Sequence, residues 1–155
     1  MTVNTKKVAG RREVRYTSYA DMMNDVEQMA VGEVRTLGNW SYGQILQHLA
    51  TSLDSSIEGT GFMLPAPMRW LFTLLMKNRF LYKAIPAGFK TSGKFIPGET
   101  SVEEGLMALR HSVERQSQEE TCAPHPAFGK ITKEEWDAFN LRHAEMHMSF
   151  VVKET

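Results

Sequence analysis

One cysteine in 155 residues, Cys122, leaves the chain unable to form an internal disulfide or to build a cysteine-based zinc site alone. It also lacks an excess of charge of either sign, since Lys plus Arg and Asp plus Glu both number 18. A neutral chain has no overall field to gather a phosphate backbone, and nucleic acid is not an expected partner. Long apolar runs are missing too. The longest strongly apolar stretch, Trp70 to Met76, is far too short to span a bilayer. No apolar run follows the basic residues Lys6, Lys7, Arg11, Arg12 and Arg15, so no secretory signal is read and the cytoplasm is the expected compartment. What remains is the composition of a folded globular chain, 42% hydrophobic and 23% charged. Its size suits a single domain over 1–155, with 1–16 as a flexible or extended, solvated arm.

What is present is helical periodicity. Three segments open with Ser or Thr followed three residues later by Glu or Gln, the capping box in which side chain and backbone at a helix start satisfy each other. Ser41 and Gln44 begin a helix near 41–58 with Ile45, Leu49, Leu53 and Ile57 on one stripe and Trp40 stapled onto Ile45. Ser101 and Glu104 begin another near 101–118 with Val102, Leu106, Leu109 and Val113. Thr132 and Glu135 begin the last, near 132–151, with Trp136, Phe139, Phe150 and Val151 together. A first helix near 18–31 starts at Thr17 or Ser18 and ends before Gly32. About forty residues between Gly59 and Ser101 are too many for a structureless connection. Pro67 at a helical first position and the spacing of Met68, Leu71, Phe72 and Leu75 predict a fifth, crossover helix near 67–84. Its basic and aromatic character also fits a membrane-surface or partner-binding helix, but crossover helices usually bury such a face, so no membrane association is expected. Part of this face should stay exposed and favour a homodimer. Nothing alternates with period two, so no strand is expected, and the fold class is all-α.

With cysteine scarce, histidine is the remaining soft-metal ligand. His143 and His147 stand four apart in HAEMH, one turn apart on one helix face, within reach of a single ion. They share the stripe of Trp136, Phe139 and Phe150, which turns both imidazoles inward, where an unpartnered polar group is costly. His48, beside Leu49 in the core stripe of the second helix, reads alone as a hydrogen-bonded core histidine and beside that pair as a third ligand. Gln44 and Asn140, each a turn before a ligand, are the candidates for orienting them, although Gln44 also serves as a cap. A zinc protease is disfavoured because Glu145 is two residues past His143, not directly after it. No Glu-x-x-His occurs, which excludes a di-iron carboxylate bundle. His111 lies off its helix's apolar stripe and is expected on the surface. His125, between Pro124 and Pro126, is read as structural in its loop, with a place at a cavity mouth as the alternative. Nothing in the sequence activates Cys122 with His125 as a nucleophile pair, and no Ser-His-Asp arrangement is legible.

A histidine in the second helix followed at long range by HxxxH in the last resembles the DinB-like superfamily of metal-binding bundles. GNWSYGQILQHLATSLDSSIEG, the loop HPAFGKIT, and the closing EEW with HAEMHMSF resemble one of its subfamilies, known only as a domain of unknown function. The resemblance implies a four-helix bundle, up-down-down-up, with the extra helix in the long crossover between helices 2 and 3. It also implies a metal ion held by His48, His143 and His147, and the order of nitrogen-ligand affinity makes zinc or nickel the expected divalent ion. Characterised relatives include transferases and isomerases that use low-molecular-weight thiols. The leading expectation is a metal-dependent transferase or hydrolase that activates a thiol or water against an unidentified small molecule. The alternative is a non-catalytic metal- or ligand-binding module, or a homodimeric interaction protein.

Overall fold

The computed structural model of the chain describes residues 2–154. Five α-helices are joined to a two-stranded ribbon: α1 (Tyr19–Val31), β1 (Val34–Thr36), α2 (Tyr42–Glu58), α3 (Ala66–Tyr82), α4 (Val102–Gln118), α5 (Lys133–Met148) and β2 (Val151–Lys153). All three expected capping boxes form at the starts of α2, α4 and α5, and Ser18 caps α1 by accepting from the Asp21 amide. Helix α3 has no side-chain cap; proline in its first turn presets the backbone there.

Four helices share one core. Met22 and Val26 of α1, Leu46 and Leu49 of α2, Leu109 of α4, and Leu141, Ala144 and Met148 of α5 pack together. Contact is most extensive between α2 and α4, which approach closely where Gly43 faces Gly105; a methyl group on Gly105 would lie 2.6 Å from the Gly43 carbonyl oxygen and 2.8 Å from Leu46 Cβ. Helix α3 stands apart from this core. It packs against α5 and fully buries only Leu81, leaving Trp70, Leu74 and Leu75 in solvent. No helix among the described residues is long and apolar enough to cross a membrane.

Two expectations need correction. Strands do occur: β1 pairs antiparallel with β2, Arg35 opposite Val152. Three residues per strand are too few to display a period of two. For the same reason α5 does not run to 151. It closes at Met148, where the Ser149 amide bonds back to the Glu145 carbonyl, and β-branched Val151 and Val152 continue as strand. The N-terminal arm carries one short 3₁₀ turn, Thr5–Lys7, and is not the solvated tail that its composition suggests. Arg11 donates to Ser149 Oγ at 2.9 Å through Nε and lies over the Phe150 ring, Arg12 forms a bidentate pair with Asp25 at 2.8 Å, and the amide of buried Tyr16 donates to Glu145 at 2.7 Å. The arm thereby clamps the end of α5.

Candidate metal centre

Helix α5 is enclosed on three sides, and its sequence divides accordingly. Leu141, Ala144 and Met148 face the core; Arg142 and Glu145, a buried ion pair, face the arm. Trp136, Phe139, His143 and His147, at i, i+3, i+7 and i+11, line a cavity of about 460 Å³. His48 enters the same cavity from α2. The three histidines expected as ligands are brought together: His143 Nε2 is 3.2 Å from His48 Nε2 and 3.1 Å from His147 Nε2.

Their protonation follows from their surroundings. The Phe95 carbonyl, which can only accept, lies 2.7 Å from His48 Nδ1, so Nδ1 carries the proton and Nε2 presents a lone pair. Burial lowers the His48 pKa, against the opposing effect of that carbonyl. Burial, with the neighbouring His48, pushes His143 down to about 3, and burial with the nearby His143, His48 and Arg11 drives His147 well below its ordinary value. All three rings are therefore neutral at physiological pH.

This arrangement fits a metal ion better than a hydrogen-bond network. A ring nitrogen has one in-plane position, filled by either a proton or a lone pair. One proton on His143 Nε2 could serve both contacts only as a shared, bent three-centre bond, weaker than two direct ones. A single cation satisfies all three nitrogens at once, and neutral imidazoles are the donors zinc or nickel prefers. The three histidines form a group that could hold such an ion.

Aromatic rings fix the three imidazoles from outside. Trp40 stacks on His147 at 5.6 Å with planes 9° apart and tilts against His48 at 4.8 Å, while Phe139 stacks on His143 at 6.1 Å. The sequence offered Trp40 only as a staple, and the orienting role of Phe95 belongs to a backbone carbonyl in a Pro/Gly-rich loop, which leaves no residue-level signal. Neither candidate orienting residue acts as one. Gln44 is occupied by the capping box and the Pro97 carbonyl, and Asn140 donates to Tyr19 and Ser56. His111 is exposed, as expected. Burial pushes the Cys122 thiol pKa up, which disfavours a nucleophilic thiolate. His125 is buried in the cavity wall, where its Nδ1 accepts from the Ala127 and Phe128 amides of its own loop.

No curated protein and no solved structure matches the chain. The family model described as "Protein of unknown function (DUF1569)" matches residues 8–154, a span that includes all three clustered histidines, and the chain belongs to that family.

Proposed function

We propose that this protein is a DinB-like bundle that holds one divalent metal ion, zinc or nickel, with His48, His143 and His147. In this reading it is a metal-dependent transferase or hydrolase acting on a small molecule in the adjoining cavity. The observation that carries the reading is the convergence of three Nε2 atoms, whose two contacts a single proton could serve only through a shared, bent hydrogen bond, at the wall of a 460 Å³ cavity. That volume lies within the range of small-molecule sites. The shared core of α1, α2, α4 and α5, with α3 in the long connection between α2 and α4, supports an up-down-down-up bundle.

A divalent ion on three neutral ligands keeps its full charge, which suits activation of a water or a low-molecular-weight thiol against an electrophile. The chain's own residues supply the rest. The Phe95 carbonyl and the stacked Trp40 and Phe139 hold the imidazoles in place, and most of the cavity wall beside them is apolar. No Asp or Glu lines the cavity, so the protein offers no carboxylate base there. That same observation favours the alternative, a non-catalytic metal- or ligand-binding module.

Metal analysis of protein purified without a histidine tag should find about one zinc or nickel per chain. The double change His143→Ala with His147→Ala should abolish it, and unchanged metal content in that variant would falsify the ligand assignment. Thiol-dependent turnover, assayed with glutathione and an electrophile, should vanish with the metal. Bound metal without turnover under any thiol would leave the binding module as the function. The exposed α3 face further supports a homodimer.

A further inference from the structure

The wall of the cavity holds a hydrogen-bond donor that the protein itself leaves without a partner. His125 is 4% exposed, and its Nδ1 accepts from the backbone amides of Ala127 at 3.1 Å and Phe128 at 3.2 Å. A ring nitrogen that accepts N–H donors carries the lone pair, so in the neutral ring the proton sits on Nε2. Burial keeps the ring neutral by pushing its pKa down to about 3. Among the described residues, every side-chain nitrogen or oxygen sealed from solvent has a hydrogen-bond partner. The Nε2–H has no acceptor among the described residues; it is therefore open, and since the ring lines the cavity, the cavity is what it opens to.

The ring is held firmly. Paired backbone hydrogen bonds of 2.8 Å join His125 to Gly129 across the loop, the ring stacks on Phe128 at 4.4 Å, and Trp136 and Phe139 flank it at 4.8 and 4.6 Å. Phe139 in turn stacks on His143 at 6.1 Å. The two imidazoles are thus no farther apart than the sum of their separations from one phenyl ring, a gap that a single-ring molecule with a short side chain can bridge. Hydroxyl groups elsewhere in the wall can donate or accept by rotating, whereas this tautomer, its acceptor already used by the loop, can only donate.

We propose that His125 is a ligand-anchoring residue: its Nε2–H donates to the carbonyl or carboxylate oxygen of a small, otherwise apolar molecule whose other end reaches the histidine cluster. The proposal rests on the preceding reading only for what lies at that other end. The lining agrees with such a ligand, being mostly aromatic and aliphatic, with Lys90 as its one permanent cation and no carboxylate to attract a cationic ligand. A compound of the same shape without an acceptor oxygen would leave the donor unpaired, and sites of this kind reject such analogues.

The test is nitrogen-15 NMR with acetophenone and benzoate as acceptor probes and ethylbenzene as the control, on metal-loaded and chelator-treated protein. His125 should appear as the Nε2–H tautomer from about pH 5 to about pH 8. Its Nε2 proton should shift with acetophenone or benzoate and not with ethylbenzene, the pair separating a carbonyl from a carboxylate preference. In His125→Asn, whose Oδ1 can still accept from the loop amides, affinity for the acceptor probe should fall about ten-fold while ethylbenzene is unaffected. An Nδ1–H tautomer, no binding of either acceptor probe to wild type, or a folded His125→Asn with wild-type affinity would overturn the proposal. Should that variant fail to fold, the wild-type tautomer and titrations still decide. Discrimination that persists in chelator-treated protein of a chain found to bind no metal would sink only the metal reading. A metal-binding chain that cannot tell acetophenone from ethylbenzene would sink only this one.

Discussion

At the residue scale, the buried imidazoles couple folding to pH. His125 titrates at about 3 in the folded chain and near its ordinary value when unfolded. Between those values the unfolded state binds a proton that the folded state refuses. The stability this contributes is therefore complete above about pH 6.5 and is lost as pH falls toward the folded value. Replacing His125 by Asn removes one such proton. The dependence of unfolding free energy on pH, measured by urea titration between about pH 6 and about pH 4, should become shallower by up to about 1.4 kcal/mol per pH unit. Equal slopes in the two proteins would show that His125 titrates normally when folded. His143, His147 and His48 shift in the same direction, so acid should weaken folding and, with it, the proposed metal binding.

At the scale of elements, the contact of α2 with α4 depends on two glycines within helices. Alanine is the better helix former by about 1 kcal/mol, so propensity alone would favour Gly105→Ala. Packing opposes it. The added methyl group would press on the Gly43 carbonyl oxygen and Leu46 Cβ, and the carbonyl belongs to a helix that cannot yield locally. Overpacking costs about 1–3 kcal/mol, and a clash with backbone belongs to the upper part of that range, so after the gain in propensity a net destabilisation of about 1–2 kcal/mol is expected, read as a lower midpoint in thermal unfolding. A variant as stable as the wild type would mean the helices can separate without loss. The helix starts were legible because a capping box is local, three residues apart, and is satisfied the same way in any fold. The end of α5 was not. Phe150 and Val151 continue its apolar pattern, and only the presence of β1 alongside makes a strand the better use of Val151 and Val152.

At the scale of the whole molecule, the outer face of α3 is the feature that the fold leaves unpartnered. Trp70 is 69% and Leu74 67% exposed, with Leu71 and Leu75 beside them, a stripe rarely left in water by a monomer. A chain with no net charge offers no repulsion to a second copy. Light scattering should give a mass near twice 17.6 kDa, and Trp70→Glu should return it to the single-chain value. A single-chain mass for the wild type at high concentration would remove the homodimer from the proposed function. The arm makes a contrasting case. Its basic residues resemble a solvated tail in composition, yet Arg11 finds Ser149 because the arm passes the end of α5, and Arg12 finds Asp25 because it also runs beside α1.

By itself the sequence determined the helices and which residues share a face with His143 and His147, because helix starts and faces follow from spacings of three and four residues; that this face lines a cavity while Leu141, Ala144 and Met148 meet the core was decided by packing. HxxxH puts two imidazoles on one face whatever else the chain does, and His48 in a core stripe must point toward some partner helix. Tertiary structure alone decided how those nitrogens are protonated and what they face. The Phe95 carbonyl that sets the His48 tautomer is more than forty residues from it along the chain. The Trp40 and Phe139 rings take their places from packing, and His125 became a fixed donor only when its own loop amides occupied its other nitrogen. A backbone carbonyl and a backbone amide are present at nearly every position, so no residue type marks where one will be used, and only folding brings it within hydrogen-bond reach.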